Sequence, residues 1–255
     1  MDLWAACRDH VVFAPLAGEL VRVVESQEQI ATNRLVESLA EQALLEELIE
    51  QTKPPRRDID PRRDVDPLHY LLATPFRYPP LPYGSRFGTR SEPGVFYASQ
   101  KTETALAETA YYRFVFWSGM AIPPPSGRLV TQHTLFGARY DTQTGVQLQA
   151  TPFDTHSDLI THPGDYRATQ ALGGALRNAG VEALEYVSAR DPDKGINIAL
   201  FTPAALADPQ PQYQQAWLCE TQAEAVTFAH SVEGRVVAYP RERFLVEGVL
   251  PVPAA

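Results

Sequence analysis

The spacing of apolar and polar positions separates an N-terminal helical stretch from a mixed remainder. Apolar side chains recur every three or four residues between Leu35 and Ile49, while a glutamate face accompanies them: Glu37, Glu41, Glu46 and Glu47. A weaker pattern of the same kind runs from Leu16 to Val24. We therefore predict two helices joined by a short polar link. Helical faces of this kind are more often packing surfaces than a dedicated partner-binding hairpin.

Residues 52–67, TKPPRRDIDPRRDVDP, combine prolines with alternating basic and acidic pairs. An arm that binds nucleic acid would not neutralise its own charge in this way. We therefore interpret this segment as a solvated linker. The resulting division is a helical extension with a charged, proline-rich linker over residues 1–67 and a main domain over residues 68–255.

After Leu68 the pattern predicts short strands and helices in no regular alternation. Strands are predicted over 94–99, 112–117, 128–136, 183–187 and 197–201, and a closing hairpin over 226–228 and 236–239 around Glu233-Gly234. Helices are predicted from Thr102 and over 166–179, the second ending at Gly180. This irregular order favours a mixed α+β fold over a doubly wound sheet.

Composition limits the classes of function. The chain has 255 residues and a formal net charge of −9, which argues against a general nucleic-acid binder but leaves room for local arginines around a phosphate-bearing ligand. Two distant cysteines, Cys7 and Cys219, indicate no disulfide scaffold, so a reducing cytosol is expected. The N-terminus lacks a basic n-region and no run reaches the length of a membrane helix. We expect a cytoplasmic protein without a membrane partner.

The most informative stretch for chemistry runs from residue 77 to residue 108. It contains Arg77 in PFRYPP, Arg86 in YGSRFG, Tyr97 in a predicted strand and Glu108 in the apolar helix TALAETAYY. Arginine guanidinium groups can bind a diphosphate through paired hydrogen bonds, and a tyrosine ring can pack on a planar ring. A lone glutamate can stabilise positive charge that develops on a ribose. Each residue also has an ordinary structural explanation, such as a loop contact, a core position or an ion pair. Together they indicate nicotinamide dinucleotide chemistry without a GxGxxG loop.

Ser188 is a further candidate, because it ends the predicted strand Leu184–Val187 just before a polar turn. A serine there is as often a cap for the turn. No GxSxG elbow surrounds it, which disfavours a serine-hydrolase triad. The histidines show no metal-ligand spacing, so no metal is expected.

Three segments together resemble the RES-domain family, named for arginine, glutamate and serine. They are SRFGTRSEPGVFYASQKTETALAE, DYRATQALGGALRNAGVEALEYVSAR and INIALF, in the family's order. The chain departs from the family in three ways. Gly84-Ser85-Arg86-Phe87-Gly88 replaces the usual Gly-Gly-Arg-Trp-Asn, the family's first arginine lies further upstream than Arg77, and the N-terminal extension is long.

The resemblance implies an ADP-ribosyltransferase-like central β-sheet with flanking helices and cleavage of the nicotinamide–ribose bond of NAD. NAD would be the substrate, and water, phosphate or a protein would accept the ADP-ribosyl group. The protein would be a toxin neutralised by a cognate Xre-type antitoxin. Arg86 and Arg77 would hold the diphosphate or ribose, and Tyr97 would position nicotinamide. Glu108 would stabilise an oxocarbenium-like transition state, and Ser188 would complete the pocket.

The alternative is a catalytically silent RES-like domain that binds or assembles with other proteins. The two hypotheses differ in geometry: an enzyme requires Arg86, Tyr97, Glu108 and Ser188 to converge on one cleft. Separation of Glu108 and Ser188 on opposite faces would favour the binding protein. The sequence leaves the acceptor of the ADP-ribosyl group and the formation of a homo-oligomer open.

Overall fold

The computed structural model of the protein describes residues 1–26, 68–78 and 80–253. Its helices are α1 (Leu3–Cys7), α2 (Tyr70–Arg77), α3 (Thr102–Ser118), α4 (Ser157–Ile160) and α5 (Arg167–Asn178). Its strands are β1 (Ala14–Glu25), β2 (Phe96–Ser99), β3 (Leu129–Gln147), β4 (Ala183–Val187), β5 (Ile196–Leu200), β6 (Tyr213–Thr221), β7 (Ala225–His230) and β8 (Val236–Pro240). Short 3-10 turns cover Asp154–His156, Pro203–Ala205 and Arg241–Phe244.

The strands form one mixed sheet in which five of them close into a ring. β1 pairs with both β2 and β3, and the order β2–β5–β4–β3 completes the circuit. Only the β3–β4 pairing in this ring is parallel. Strand β3 is 19 residues long, so its first half can also pair with β6, from which β7 and β8 extend as an antiparallel meander.

The interior of the ring is a single apolar cluster to which all five strands contribute. Its members include Leu20 of β1, Phe96 of β2, Phe136 of β3, Ala183 of β4 and Ile198 of β5, all almost fully buried. Because side chains alternate between the faces of a strand, the neighbouring positions point outward, where helices cover some of them and others, such as Glu19 and Arg139, are exposed. Leu71 and Leu72 of α2 close one end of the interior.

Helix α3 packs on the outside of the sheet and is apolar on most of its circumference. Leu106, Tyr111 and Phe114 are completely buried and join a cluster with Trp217 of β6 and Phe228 of β7. A helix that is apolar nearly all round is one covered on several sides. This placement is important because α3 carries Glu108.

The structure confirms the mixed α+β class and corrects two predicted elements. The segment Leu16–Val24 is not a helix but part of β1. From Leu20 to Val24 neither face of β1 is exposed, and the apolar residues of β1 run nearly continuously, a pattern that does not distinguish a strand from a helix. Residues 112–117 are not a strand, since α3 continues through them to Ser118 despite their aromatic content. Tertiary burial thus outweighed local preference.

The remaining predicted strands and helices are present, with ends that differ by a few residues, and β3 is longer than predicted. Helix α2, with Pro75 inside it, and strand β6 were not predicted. The helix predicted between Leu35 and Ile49 and the linker over 52–67 lie outside the described residues. The division at residue 67 therefore stays a prediction, although β1 belongs to the sheet.

Close packing of α5 against the loop that contains Phe87 depends on Gly173. A Cβ at Gly173 would lie 2.1 Å from the Phe87 carbonyl oxygen, whereas a Cβ at Gly174 would meet only the flexible carboxylate of Glu92, at 2.9 Å. We predict that Gly173→Ala lowers the free energy of unfolding by about 1–3 kcal/mol, because backbone atoms must shift. Gly174→Ala, the matched control, should be neutral or stabilise by about 0.5–1 kcal/mol. Urea denaturation of both variants measures the difference, and equal effects would contradict the packing argument.

Candidate active site

A cleft of about 530 Å³ opens beside the point where β1 and β2 meet. These strands pair at Val21 and Ser99, and residues next to that pair on both strands line the cleft. Helix α3 contributes Glu108, and β5 contributes Asn197. Aromatic rings supply much of the remaining wall: Tyr78, Tyr83, Tyr97, Tyr112, Tyr166 and Tyr186. The cleft therefore combines charged groups with many flat apolar faces.

Glu108 is half-buried and is anchored through one carboxylate oxygen. Its Oε1 accepts hydrogen bonds from Ser188 Oγ and Asn197 Nδ2, each at 2.6 Å. Both distances are short for hydrogen bonds of these types. Within the described part of the chain, Oε2 accepts no hydrogen bond.

Ser188 lies directly behind Glu108 and does not line the cleft. Its hydroxyl accepts hydrogen bonds from the backbone N–H groups of Arg190 and Asp191, at 3.1 and 3.0 Å, in the turn after β4. Asp191 in turn accepts a 2.7 Å hydrogen bond from Thr104 in the first turn of α3. The turn is thus tied to the helix that carries Glu108, and the distance between serine and glutamate is fixed from both sides.

Arg86 lies in a tight turn closed by a 2.8 Å hydrogen bond from Ser85 N to Gly88 O. The preceding Gly84 has a φ of +74° and no room for a Cβ, so glycine is required there. The Arg86 side chain is only 8% exposed; its Nη1 donates to the carbonyls of Ile160 and His162, and its guanidinium lies 4.6 Å from the Tyr166 ring centre. No carboxylate among the described residues neutralises it.

Tyr97 connects the cleft wall to this turn. Its hydroxyl donates to Ser85 Oγ and accepts from the Phe87 N–H, both at 2.9 Å, and so spans the turn that presents Arg86. Burial raises the pKa of Tyr97 to about 12, so the phenol is neutral at physiological pH. The hydroxyl holds the arginine turn while the ring faces the cleft.

Arg77 lies in the last turn of α2 and is not among the residues that line the cleft. Arg22 of β1 does line it. The Arg22 guanidinium donates to the Tyr97 carbonyl and lies 5.1 Å from the centre of the Phe96 ring. Burial lowers its pKa to about 10, which leaves it charged at neutral pH, and it meets no carboxylate in the ranges that the structure covers.

Arg22 is not among the predicted site residues, because the pattern from Leu16 to Val24 predicts a helix outside the main domain. The one signal that could have found it was the position of the family's first arginine, upstream of Arg77. Asn197 was missed as well. It opens a predicted strand, but nothing local shows that its side chain faces Glu108.

The model of the RES domain family matches residues 61–222, more than half of the chain. The protein belongs to the RES-domain family. A solved chain from the M. tuberculosis MbcT–MbcA toxin–antitoxin complex aligns with a TM-score of 0.45 and 10% identity, over 79% of this chain and 85% of that one. Among curated proteins, none matches.

In this RES domain, Arg86, Tyr97 and Glu108 line one cleft, and Ser188 bonds Glu108 from behind. Glu108 and Ser188 therefore lie on the same side of the sheet. A silent binding domain would have placed them on opposite faces. In the part of the chain that the structure describes, no cluster of His, Cys, Asp or Glu has the composition of a metal site. Within the same ranges, no helix is long and apolar enough to cross a membrane.

The hydroxyl of Tyr97 can be tested apart from any activity. Tyr97→Phe leaves the buried Phe87 N–H without its acceptor, and we predict a loss of about 1–3 kcal/mol in the free energy of unfolding. Tyr213→Phe is the matched control, because no hydrogen bond of that hydroxyl occurs among the described residues and the side chain is 41% exposed. Chemical denaturation of the two variants measures the difference. Equal stability would show that the Tyr97 hydroxyl does not hold the turn.

Proposed function

We propose that this RES domain is the toxin of a toxin–antitoxin pair and that it cleaves the nicotinamide–ribose bond of NAD. Membership of the RES family supports the class of activity. The observation that carries the proposal is the Glu108 carboxylate, anchored at Oε1 and without a hydrogen bond at Oε2 among the described residues, in a cleft shared with two arginines.

The two arginines suit the diphosphate of NAD. Arg22 and Arg86 line the same cleft, and neither is neutralised by a carboxylate of the described chain. An anionic ligand would supply the missing counter-charge, and guanidinium groups bind phosphate oxygens in pairs of parallel hydrogen bonds. We therefore assign the diphosphate to Arg86 and Arg22. Arg77, which lies outside the lining, is the weaker candidate.

The tyrosine walls suit the nicotinamide ring. Tyr97 presents its ring to the cleft while its hydroxyl is occupied by the arginine turn. Aromatic faces pack favourably on planar rings in offset or tilted arrangements. Tyr97 would thus place nicotinamide relative to Glu108, because it lies on the strand that borders the carboxylate site.

The reaction follows from the charges. The bond between C1′ of the ribose and N1 of nicotinamide breaks, and its electron pair leaves with nicotinamide, which becomes neutral. The ribose then carries positive charge, which a fixed carboxylate stabilises without needing to reorganise. Water, phosphate or a protein nucleophile forms the new bond to C1′ and loses its proton. Restraint of the sugar and charge stabilisation are the protein's main contributions.

Glu108→Gln tests the catalytic assignment. The substitution keeps size and hydrogen-bonding capacity but removes the negative charge, so we predict that kcat for nicotinamide release falls by about 10²-fold or more. Glu103→Gln is the control on the same helix, where an exposed carboxylate pairs with Arg235 at 2.7 Å. Nicotinamide release from NAD by the purified proteins, followed by chromatography, measures both.

Full turnover by Glu108→Gln would remove Glu108 from the mechanism. The same assay with and without phosphate identifies the acceptor, since the products are a phosphorylated ADP-ribose or free ADP-ribose. Strong expression of the wild type, but not of Glu108→Gln, should arrest bacterial growth, and co-expression of the cognate Xre-type antitoxin should restore it.

Three arginine variants test the diphosphate site. Arg22→Gln removes a charged donor from the cleft, and we predict a rise in KM for NAD of about tenfold or more. Arg77→Gln should raise KM less if Arg22 is the diphosphate ligand. Arg139→Gln, whose exposed side chain pairs with Asp208 at 2.9 Å, is the control and should leave KM unchanged. A larger effect at Arg77 than at Arg22 would reverse the assignment.

A further inference from the structure

We propose that Asn197, held by Ser99, is a positioning residue that fixes the plane of the Glu108 carboxylate, so that Oε2 faces the substrate. The inference rests on the proposed function, since it concerns the same carboxylate. It assigns a role to two buried polar residues that lie in the segments resembling the RES family but to which the resemblance assigned no role.

The sheet places Asn197 and Ser99 side by side. Ser99 of β2 is directly opposite Asn197 of β5 in the antiparallel register, and Tyr186 of β4 is opposite Asn197 on its other side. These three side chains form a row across adjacent strands, and all three line the cleft. Asn197 and Ser99 are only 3% and 2% exposed, so their polar groups require partners within the protein.

The hydrogen bonds of this row run in one direction. An ionised carboxylate only accepts hydrogen bonds, so the amide nitrogen of Asn197 must face Glu108. The amide oxygen then faces Ser99, whose hydroxyl donates to it at 2.7 Å. The carboxylate therefore selects the orientation of the amide, and Ser99, whose hydroxyl can donate or accept, holds the amide in place. The reversed amide would point its oxygen at the carboxylate and lose a charge-assisted bond.

Asn197 and Ser188 approach the same oxygen from different elements. Ser188 is fixed by backbone N–H groups after β4, and Asn197 is fixed by β2 through Ser99. One donor alone would leave the carboxylate free to rotate about its terminal bond. Two donors on Oε1 fix its plane, so Oε2 takes a defined position toward the cleft. Such preorganisation lowers the barrier only if the free oxygen is placed where charge develops.

Asn197→Asp tests this role, because it conserves shape while replacing the donor with an acceptor. We expect kcat for NAD cleavage to fall by about 10²-fold, with KM within about threefold of the wild type, since the arginines that bind the diphosphate are untouched. Ser99→Ala should lower kcat by about tenfold because it removes the hydrogen bond that holds the Asn197 amide in place, and Ser99→Thr, which keeps the hydroxyl, should restore most of it. Thermal unfolding of each variant reports whether the fold survives.

A double-variant cycle separates positioning from general structural support. If Asn197 acts through Glu108, adding Asn197→Asp to Glu108→Gln causes little further loss of kcat, whereas a structural role gives losses that multiply.

If the wild type is active and Asn197→Asp folds and is fully active, the positioning role of Asn197 is overturned while the proposed function stands. A folded wild type that does not consume NAD would overturn the proposed function instead. If Asn197→Asp does not fold, the Ser99 pair decides: equal kcat for Ser99→Ala and Ser99→Thr overturns the inference.

Discussion

The pairing of β1 with β3 is the constraint on which the rest of the molecule depends. It runs from Ala14 to Glu25 against Gly145 to His133 and closes the ring of five strands. Closure gives all five strands a common apolar interior, and helix α3 packs on part of the outer surface of the sheet. It also places the end of β1 beside β2, where the two strands meet at Val21 and Ser99. The cleft and its charged residues are arranged around that meeting point.

The polar groups of the site are ordered because each belongs to, or is hydrogen-bonded to, an element that packing or hydrogen bonds hold in place. Glu108 is carried by a helix packed on the sheet, and Ser188 by a turn tied to that helix. Asn197 is fixed by its cross-strand neighbour, and Arg86 by a turn that Tyr97 spans. Buried polar groups of this kind are costly unless every donor and acceptor is paired. Oε2 of Glu108 accepts no hydrogen bond within the described chain, and Glu108 shares the cleft with Arg22 and Arg86, which is why we propose this carboxylate as the centre of the chemistry.

Several residues of the site could be predicted from the sequence, but the contacts between residues far apart in the chain could not. Glu108 and Ser188 were recognisable because an isolated glutamate on an apolar helix and a serine at a strand end are local signals, and the family pattern places them in order. The contact between Asn197 and Ser99 spans 98 positions and depends on strand register, which local pattern does not specify. Arg22 was missed for a related reason: between Leu20 and Val24 neither face of β1 is exposed, so this stretch lacks the alternation by which strands are recognised.

The position of β1 has a consequence for the boundary of the domain. A protein cut at residue 67, the boundary that composition suggests, would lose β1 and with it Arg22. The edge of β3 that β1 covers would then expose unpaired backbone donors and acceptors, a surface that recruits other chains into aggregates. Strand β1 is therefore not an appendage of the RES domain, because it closes the ring of strands.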